Sequence, residues 1–327
     1  METKRALITG ITGQDGSFLA DLLLEKGYDV WGLIRRTSTP IYENIEHIIY
    51  NINLIDGDLL DQSSLINAIK LSCPDEVYNF ASQSFVGKSW QQADYTASVT
   101  GLGALRVYEA VRLVGKYRKK NIRIYQASSS EQFGGSPAPQ NESTIFDPRS
   151  PYAVAKVFAH NMAKVYKESY NMFISCGILF NHESERRGIE FVTRKITDGV
   201  ARIKLEIQNE LRLGNLDAKR DWGYSKDYMK AVYSILNYEK PENFVIATGE
   251  THTIREFIDE AFSYVGLDWR DYVIVDKAFY RPMDVVDLRG DYTKAREILG
   301  WRPKTTFKEL VRIMVDADTN RVKKEIK

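Results

Sequence analysis

The chain opens on a short apolar run, "RALIT" (5–9), then a glycine-rich turn, then "FLADLLLEKG" (18–27), where apolar positions recur at helical spacing. The run predicts a buried strand, and the recurrence predicts a helix closed by Gly27. The alternation continues. Strand patterns at 29–34, 53–57, 76–81, 122–128 and 173–180 interleave with helical patterns at 62–72, about 95–117 and 151–170, the last with Pro151 suited to a helical first turn. Strands and helices taking turns in this way predict an α/β fold with a doubly wound parallel sheet.

After about residue 181 the pattern loosens. Helical stretches near 190–203, 226–239 and 253–264 are separated by "LRLGNLDAKRDW" and "NFVIATGE". Thr253-x-x-Glu256 and Thr306-x-x-Glu309 are capping boxes that mark helix starts. The expected division is a sheet domain over 1–180, with about 215–245 returning to it. A smaller, mostly C-terminal α/β substrate-binding part then occupies most of 181–327.

Composition narrows the class without naming a chemistry. The 327 residues are 43% hydrophobic and 27% charged, with a net charge of +1, so no whole-molecule field points to nucleic acid or membrane. No apolar run is long enough to span a bilayer, and "METKRALITG" enters a strand with no leader pattern. The two cysteines, Cys73 and Cys176, fit a reducing, cytoplasmic setting. No His/Cys/Asp cluster has metal-ligand spacing, so no metal is expected.

"ITGITGQDG" places Gly10, Gly13 and Gly16 between the first strand and the first helix. Glycines there let the backbone turn tightly and approach a pyrophosphate, whose charge the helix N-terminus favours. The spacing, G-x-x-G-x-x-G, differs from the commoner G-x-G-x-x-G, but the context is that of a Rossmann dinucleotide site. The second strand runs into Arg35-Arg36 rather than an acid, which favours the 2′-phosphate of NADP over the 2′-hydroxyl of NAD. Arg36 also reads as a solvated turn residue. Asp58, in "DGDLLD", either faces an adenine amine or caps the helix that follows.

Tyr152 and Lys156 in "YAVAK" are four apart and share a helix face. A tyrosine titrates near ~10 and is a poor base at neutral pH, but an adjacent ammonium favours its phenolate, making a usable acid–base pair. The preceding strand ends in "ASSSEQFG", three hydroxyls and the carboxylate of Glu131.

These elements resemble the extended short-chain dehydrogenase/reductase superfamily acting on nucleotide sugars. "PRSPYAVAK", "FNHESERRGIEFVTRKI", "LRLGNLDAKRDWGY", "VIATGETHTIREF" and "FYRPMDVVDLRGD" narrow the resemblance to the GDP-mannose 4,6-dehydratase family, over essentially the whole chain. It implies conversion of GDP-D-mannose to GDP-4-keto-6-deoxy-D-mannose and water, with NADP holding the hydride between C4 and C6. Tyr152 would take the O4 proton, Lys156 would bind the nicotinamide ribose, Glu131 would remove the C5 proton, and Ser129 with Glu131 would assist loss of water. The family usually has threonine at Ser129. Ser130-Glu131 differs from the Asp-Glu pair of dTDP-glucose dehydratases.

The resemblance further implies cofactor contacts from Gly10, Ile11, Thr12, Gly13, Gln14, Asp15, Gly16, Arg35, Asp58, Leu59, Phe80, Ala81, Ser82, Gln83, Ser84, Tyr95, Lys156, His182 and Arg187. Nucleotide-sugar contacts fall to Ser84, Asn181, Lys195, Arg220 and Arg281, arginines suiting a diphosphate through paired hydrogen bonds. A homo-oligomer, dimer or tetramer, is implied. The family's longer segment after the double arginine is reduced here to "TSTPIYENIEHIIYNIN". Two other readings stay open: a GDP-sugar reductase, which would not need Glu131, and a cofactor-sensing protein without catalysis.

Overall fold

The computed structural model describes residues 3–280, 283, 285 and 287–326. The first half runs β1 (Arg5–Thr9), α1 (Gln14–Glu25), β2 (Asp29–Ile34), β3 (Asn53–Asp56), α2 (Gln62–Ser72), β4 (Glu76–Asn79), α3 (Val86–Ser89), α4 (Ala93–Thr96), α5 (Gly103–Arg118), β5 (Arg123–Ser129), α6 (Pro151–Tyr170) and β6 (Ile174–Leu179). The second half runs β7 (Asn181–Glu183), α7 (Val192–Lys204), β8 (Leu211–Leu213), β9 (Lys219–Arg220), β10 (Trp222–Tyr224), α8 (Ser225–Asn237), β11 (Phe244–Ile246), β12 (His252–Thr253), α9 (Ile254–Tyr264), β13 (Val273–Val275), α10 (Thr293–Leu299) and α11 (Phe307–Glu325).

Among the described residues, seven strands form one sheet in the order β11-β6-β5-β4-β1-β2-β3, and every pairing in it is parallel. The order reverses at β1, which lies between β2 and β4. This is the doubly wound arrangement that opens a crevice beyond the strands' carboxyl ends. One apolar core gathers α1 and α8 (Leu19, Leu23, Val232, Ile235) on one face. The other gathers α2, α5 and α6 (Leu65, Val107, Val111, Ala159) on the opposite face. Both faces being covered explains why β6 is buried at every position.

A third core holds the smaller part: Val200 of α7, Phe257 and Phe262 of α9, and Val311 and Met314 of α11 close around Leu211, Leu213 and Trp222. Both capping boxes form, with Thr253 bonded to Glu256 N–H at 3.0 Å and Thr306 to Glu309 N–H at 3.4 Å. β11 pairs with β6, and α8 packs on α1, so these stretches lie on the main sheet.

Three local expectations change. The first helix starts at Gln14, not 18, because its polar first turn is buried against β7: Gln14 donates to the His182 carbonyl at 3.0 Å, and Ser184 donates to Gln14 at 2.7 Å. The helix expected over 95–117 is interrupted by a wider, π-type stretch, Ala97–Leu102. There Gly101 lies against Ala155 and Phe158 of α6, and the Thr100 hydroxyl accepts from Gln83 N–H at 3.1 Å. The cap of α2 is Asp61, accepting from Ser63 N–H at 2.9 Å, whereas Asp58 accepts from Leu60 N–H and stays at the cleft.

Candidate active site

A cleft of about 1540 Å³ runs along the carboxyl ends of β1, β4, β5 and β6 and continues under β8, β9 and the 278–280 segment. Every sequence-predicted site residue with a described position lines it except Ile11. The Ile11 side chain is fully buried against Gly32, where a Cβ would come within 2.6 Å of it. Arg281 lies outside the described residues.

At one end the wall is backbone. Gly10 has φ +73°, and a Cβ there would lie 3.0 Å from the Ala81 nitrogen; a Cβ on Gly16 would lie 2.3 Å from the Gly10 oxygen. No side chain caps α1, so its first-turn N–H groups remain available to an anion. This cradle, which a Cβ would fill, fits a dinucleotide's pyrophosphate. Arg35 follows β2 and donates to Tyr95 OH at 2.9 Å. Both line the cleft with Asp58 and Leu59.

Asp15 and His182 bind each other. His182 Nε2 lies 2.8 Å from Asp15 Oδ2, its Nδ1 lies 2.7 Å from the Phe180 carbonyl oxygen, and Ser225 donates to Asp15 at 2.8 Å. A ring with an acceptor beside each nitrogen is placed to donate from both, as an imidazolium does. Burial opposes the charge of each partner. The pairing outweighs it, holding Asp15 below the usual carboxylate range and raising His182 above its ordinary value. The sequence marked both as cofactor contacts; the structure adds that they tie α1 to β7 and α8.

The other wall is chemical. Ser129 ends β5 and caps the tight turn Ser130–Gln132, accepting from Glu131 N–H at 3.3 Å while its own N–H donates to Gln132 Oε1 at 3.1 Å. Glu131 is thereby held, nearly buried, on the cleft wall. The Ser128 hydroxyl meets His160 Nδ1 at 2.9 Å and fastens the strand end to α6. Ser150 caps α6 through Ala153 N–H at 3.1 Å, and buried Ala155, Ala159 and Ala163 let the helix lie close to the sheet. Tyr152 and Lys156 therefore emerge on the same cleft wall as Ser129 and Glu131.

The electrostatics correct one expectation. Burial pushes Tyr152 up to about 12; the Ser129 hydroxyl lowers it and Glu131 raises it. The Lys156 nitrogen is 5.7 Å from the Tyr152 ring centre and donates to the Ala127 carbonyl at 2.8 Å. Burial brings Lys156 down to about 8, with Asp15 opposing. Lysine alone therefore does not make the phenolate, because desolvation of a buried phenol outweighs an ammonium at that distance.

Toward the smaller part, Asn181 (β7), Lys195 (α7) and Arg220 (β9) share the cleft with Ser84. Lys195 lies 3.8 Å from the Phe279 ring centre, and Arg187 lies over Phe191 and beside Glu183 at 3.1 Å. Sequence reasoning missed Trp222, Phe191 and Tyr280 on the lining, and Asp221 behind it. Of these, only "KRDW" carried a trace, an acid between a cleft arginine and an aromatic. Among the described residues no group of three or more His, Cys, Asp or Glu is placed to hold a metal, and no helix is long and apolar enough to cross a membrane.

The family model described as GDP-mannose 4,6 dehydratase matches residues 7–314. GDP-mannose 4,6 dehydratase 1 of Arabidopsis thaliana is 51% identical, covering 98% of this chain and 91% of its own. The GDP-mannose 4,6 dehydratase of Homo sapiens is 47% identical over 96% of this chain and 91% of its own. Among solved structures, the UDP-glucose 4-epimerase of Thermus thermophilus in complex with NAD superposes with a TM-score of 0.84 at 26% identity, covering 96% of this chain and 98% of that one. The chain belongs to the GDP-mannose 4,6 dehydratase family.

Proposed function

We propose that the protein converts GDP-D-mannose to GDP-4-keto-6-deoxy-D-mannose and water, with NADP as the bound cofactor. The observation that carries this reading is Glu131, Ser129 and Tyr152 meeting on one wall beside Lys156. An oxidised nicotinamide ring, when bound, stores the hydride between C4 and C6 and adds a positive charge beside the phenol. Tyr152 takes the O4 proton, aided by the Ser129 hydroxyl, whose influence lowers the phenol's pKa. Lys156 holds the ribose next to the same phenol. The C4 ketone acidifies the C5 proton, which Glu131 removes. Departure of the C6 hydroxyl needs a proton, and Ser129 and Glu131 supply it. A reductase or epimerase uses the tyrosine and lysine alone, so a carboxylate here favours elimination.

Arg35 beside Tyr95 supports NADP over NAD, since a guanidinium pairs with a 2′-phosphate. The glycine cradle and residues 1–180 serve the cofactor, and most of 181–327 serves the nucleotide sugar. Asn181, Lys195 and Arg220 face the sugar nucleotide, with Arg281 assigned there by sequence alone. Exposed Leu102 just before α5, Leu113 and Tyr117 along α5, and Val154, Phe158 and Val165 along α6 support a homo-oligomer. The separate, unpaired cysteines support a cytoplasmic setting.

Purified protein incubated with GDP-mannose in D2O tests the function. A product lighter by one water, with solvent deuterium at C5, is expected. Unchanged GDP-mannose alongside turnover of another nucleotide sugar overturns the substrate.

A further inference from the structure

Between cleft-lining Arg220 and Trp222 stands a side chain that points away from the cleft. Asp221 is fully buried. Its Oδ1 accepts from the Thr248 N–H at 2.8 Å and the Thr248 hydroxyl at 2.6 Å. Its Oδ2 accepts from Gly249 N–H at 3.0 Å and Gly290 N–H at 3.1 Å, and its own N–H donates to the Leu288 carbonyl at 3.2 Å. Four donors converging on two oxygens suit a carboxylate and no other side chain of this length. Asparagine has one acceptor oxygen and would turn its NH2 toward one pair of donors.

The two segments that Asp221 grips are those that frame Arg220. Thr248 and Gly249 lead into β12, where His252 stands opposite Arg220 in the antiparallel pair with β9. Gly290 ends the stretch whose Val285 carbonyl accepts from Arg220 Nη1 at 3.1 Å; the same nitrogen donates to the Lys219 carbonyl at 2.7 Å. On the far side, Trp222 is in register with Asn181 across β10 and β7. One buried carboxylate thus joins the end of the main sheet, the small β9–β12 pair and the stretch before α10.

We propose that Asp221 is a positioning residue for substrate binding: without touching the nucleotide sugar, it fixes the Arg220 guanidinium for the diphosphate. The proposal rests on the assignment of Arg220 to that diphosphate. A long side chain ordered before binding spends less of its freedom on the ligand, so the clamp acts on affinity more than on the chemical step. It leaves the cofactor cradle alone, since none of its partners lines that end.

The test compares Asp221→Asn, Arg220→Gln and the double variant for KM of GDP-mannose, kcat and cofactor Kd. Asp221→Asn is expected to raise KM by about tenfold or more, as for losing a charge-assisted hydrogen bond, with cofactor Kd unchanged. In the Arg220→Gln background the same change adds less than about twofold, because both act through one group. Independent, multiplying effects on KM, or a cofactor Kd that worsens in step, overturn the proposal. Thr248→Val removes one donor only and should raise KM more modestly. It carries the test if Asp221→Asn does not fold, and an unchanged KM then overturns it. If Arg220→Gln leaves KM unaltered, the diphosphate assignment fails; if Arg220→Gln raises KM while Asp221→Asn does not, Asp221 alone loses its role.

Discussion

The two ends of the cleft are built from different materials. The proposed cofactor end is centred on main chain: the glycines and uncapped start of α1, closing on Ala81 just after β4. The proposed sugar end is backed by buried polar side chains held by partners far away in sequence, such as Asp221 with Gly290; Arg194 with Asp318 is a like pair behind the cleft-lining Arg187. A backbone site is specified by what cannot be present, a Cβ. A side-chain site is specified by partners that must all be present. The first tolerates no added bulk and the second tolerates no missing partner.

Gly16→Val breaks the first kind of site most sharply. Its Cβ would press on the Gly10 oxygen and the Ile11 Cα at 2.3 and 2.7 Å, both backbone atoms that cannot swing aside. Cofactor titration should show affinity falling by roughly 10²-fold or more, a few kcal/mol of overpacking. The small core around Phe257 should unfold as before.

Asp318→Ala is the matching lesion for a site held by side-chain partners. Arg194 makes two bonds to Asp318, at 2.7 and 2.9 Å, and its Nη1 donates to the carbonyls of Glu185 and Arg187. Removing the acid leaves a nearly buried guanidinium uncompensated, at a cost of about 3–5 kcal/mol in urea unfolding. Because Arg194 also holds the Arg187 segment, cofactor affinity should fall as well, but by less than in Gly16→Val.

Lys156 sits where the two ends meet, and its pH behaviour sharpens the contrast. Its ordinary value of 10.5 falls to about 8 on burial. Between these values the unfolded chain binds the proton that the folded chain has released, so this group's contribution to stability rises as pH rises from about 8 to 10.5 and is flat outside that window. Activity moves the other way, declining above about pH 8 as the ammonium is lost. The difference in unfolding free energy between wild type and Lys156→Met across this range, set beside the pH–rate profile, checks both signs.

The smallest effect expected is in cofactor choice. Arg35→Ser should lower NADP affinity by about tenfold while sparing NAD, since only one charge-assisted contact to a 2′-phosphate is lost. Equal losses for both cofactors would make Arg35 a structural partner of Tyr95.

The same contrast explains what could be read from the sequence. Gly10, Gly13 and Gly16 announce their role within nine residues, and Tyr152 and Lys156 within five, because each signal is local and periodic. The strand–helix alternation gave the parallel sheet for the same reason, and β11 joining beside β6 follows from it. Asp221 could not be read, since its donors lie 27 to 69 residues away. The Asp15–His182 pair spans 167 residues, and no propensity marks a partner at that range. The break in the helix before α5 was hidden too, because Gly101 and Thr100 answer to α6 and Gln83 rather than to their own neighbours. Tyr152 is the instructive case. Spacing put the lysine on its face, but burial, which sequence does not display, sets its titration.

The central claim is that one carboxylate, Glu131, turns a hydride-transfer site into one that eliminates water. Glu131→Gln keeps the size and the capped turn while removing the base. With GDP-mannose in D2O, the account predicts unchanged cofactor affinity, turnover lower by at least ~10²-fold, and loss of solvent deuterium incorporation at C5. Turnover near the wild-type rate, with deuterium still entering C5, would contradict it.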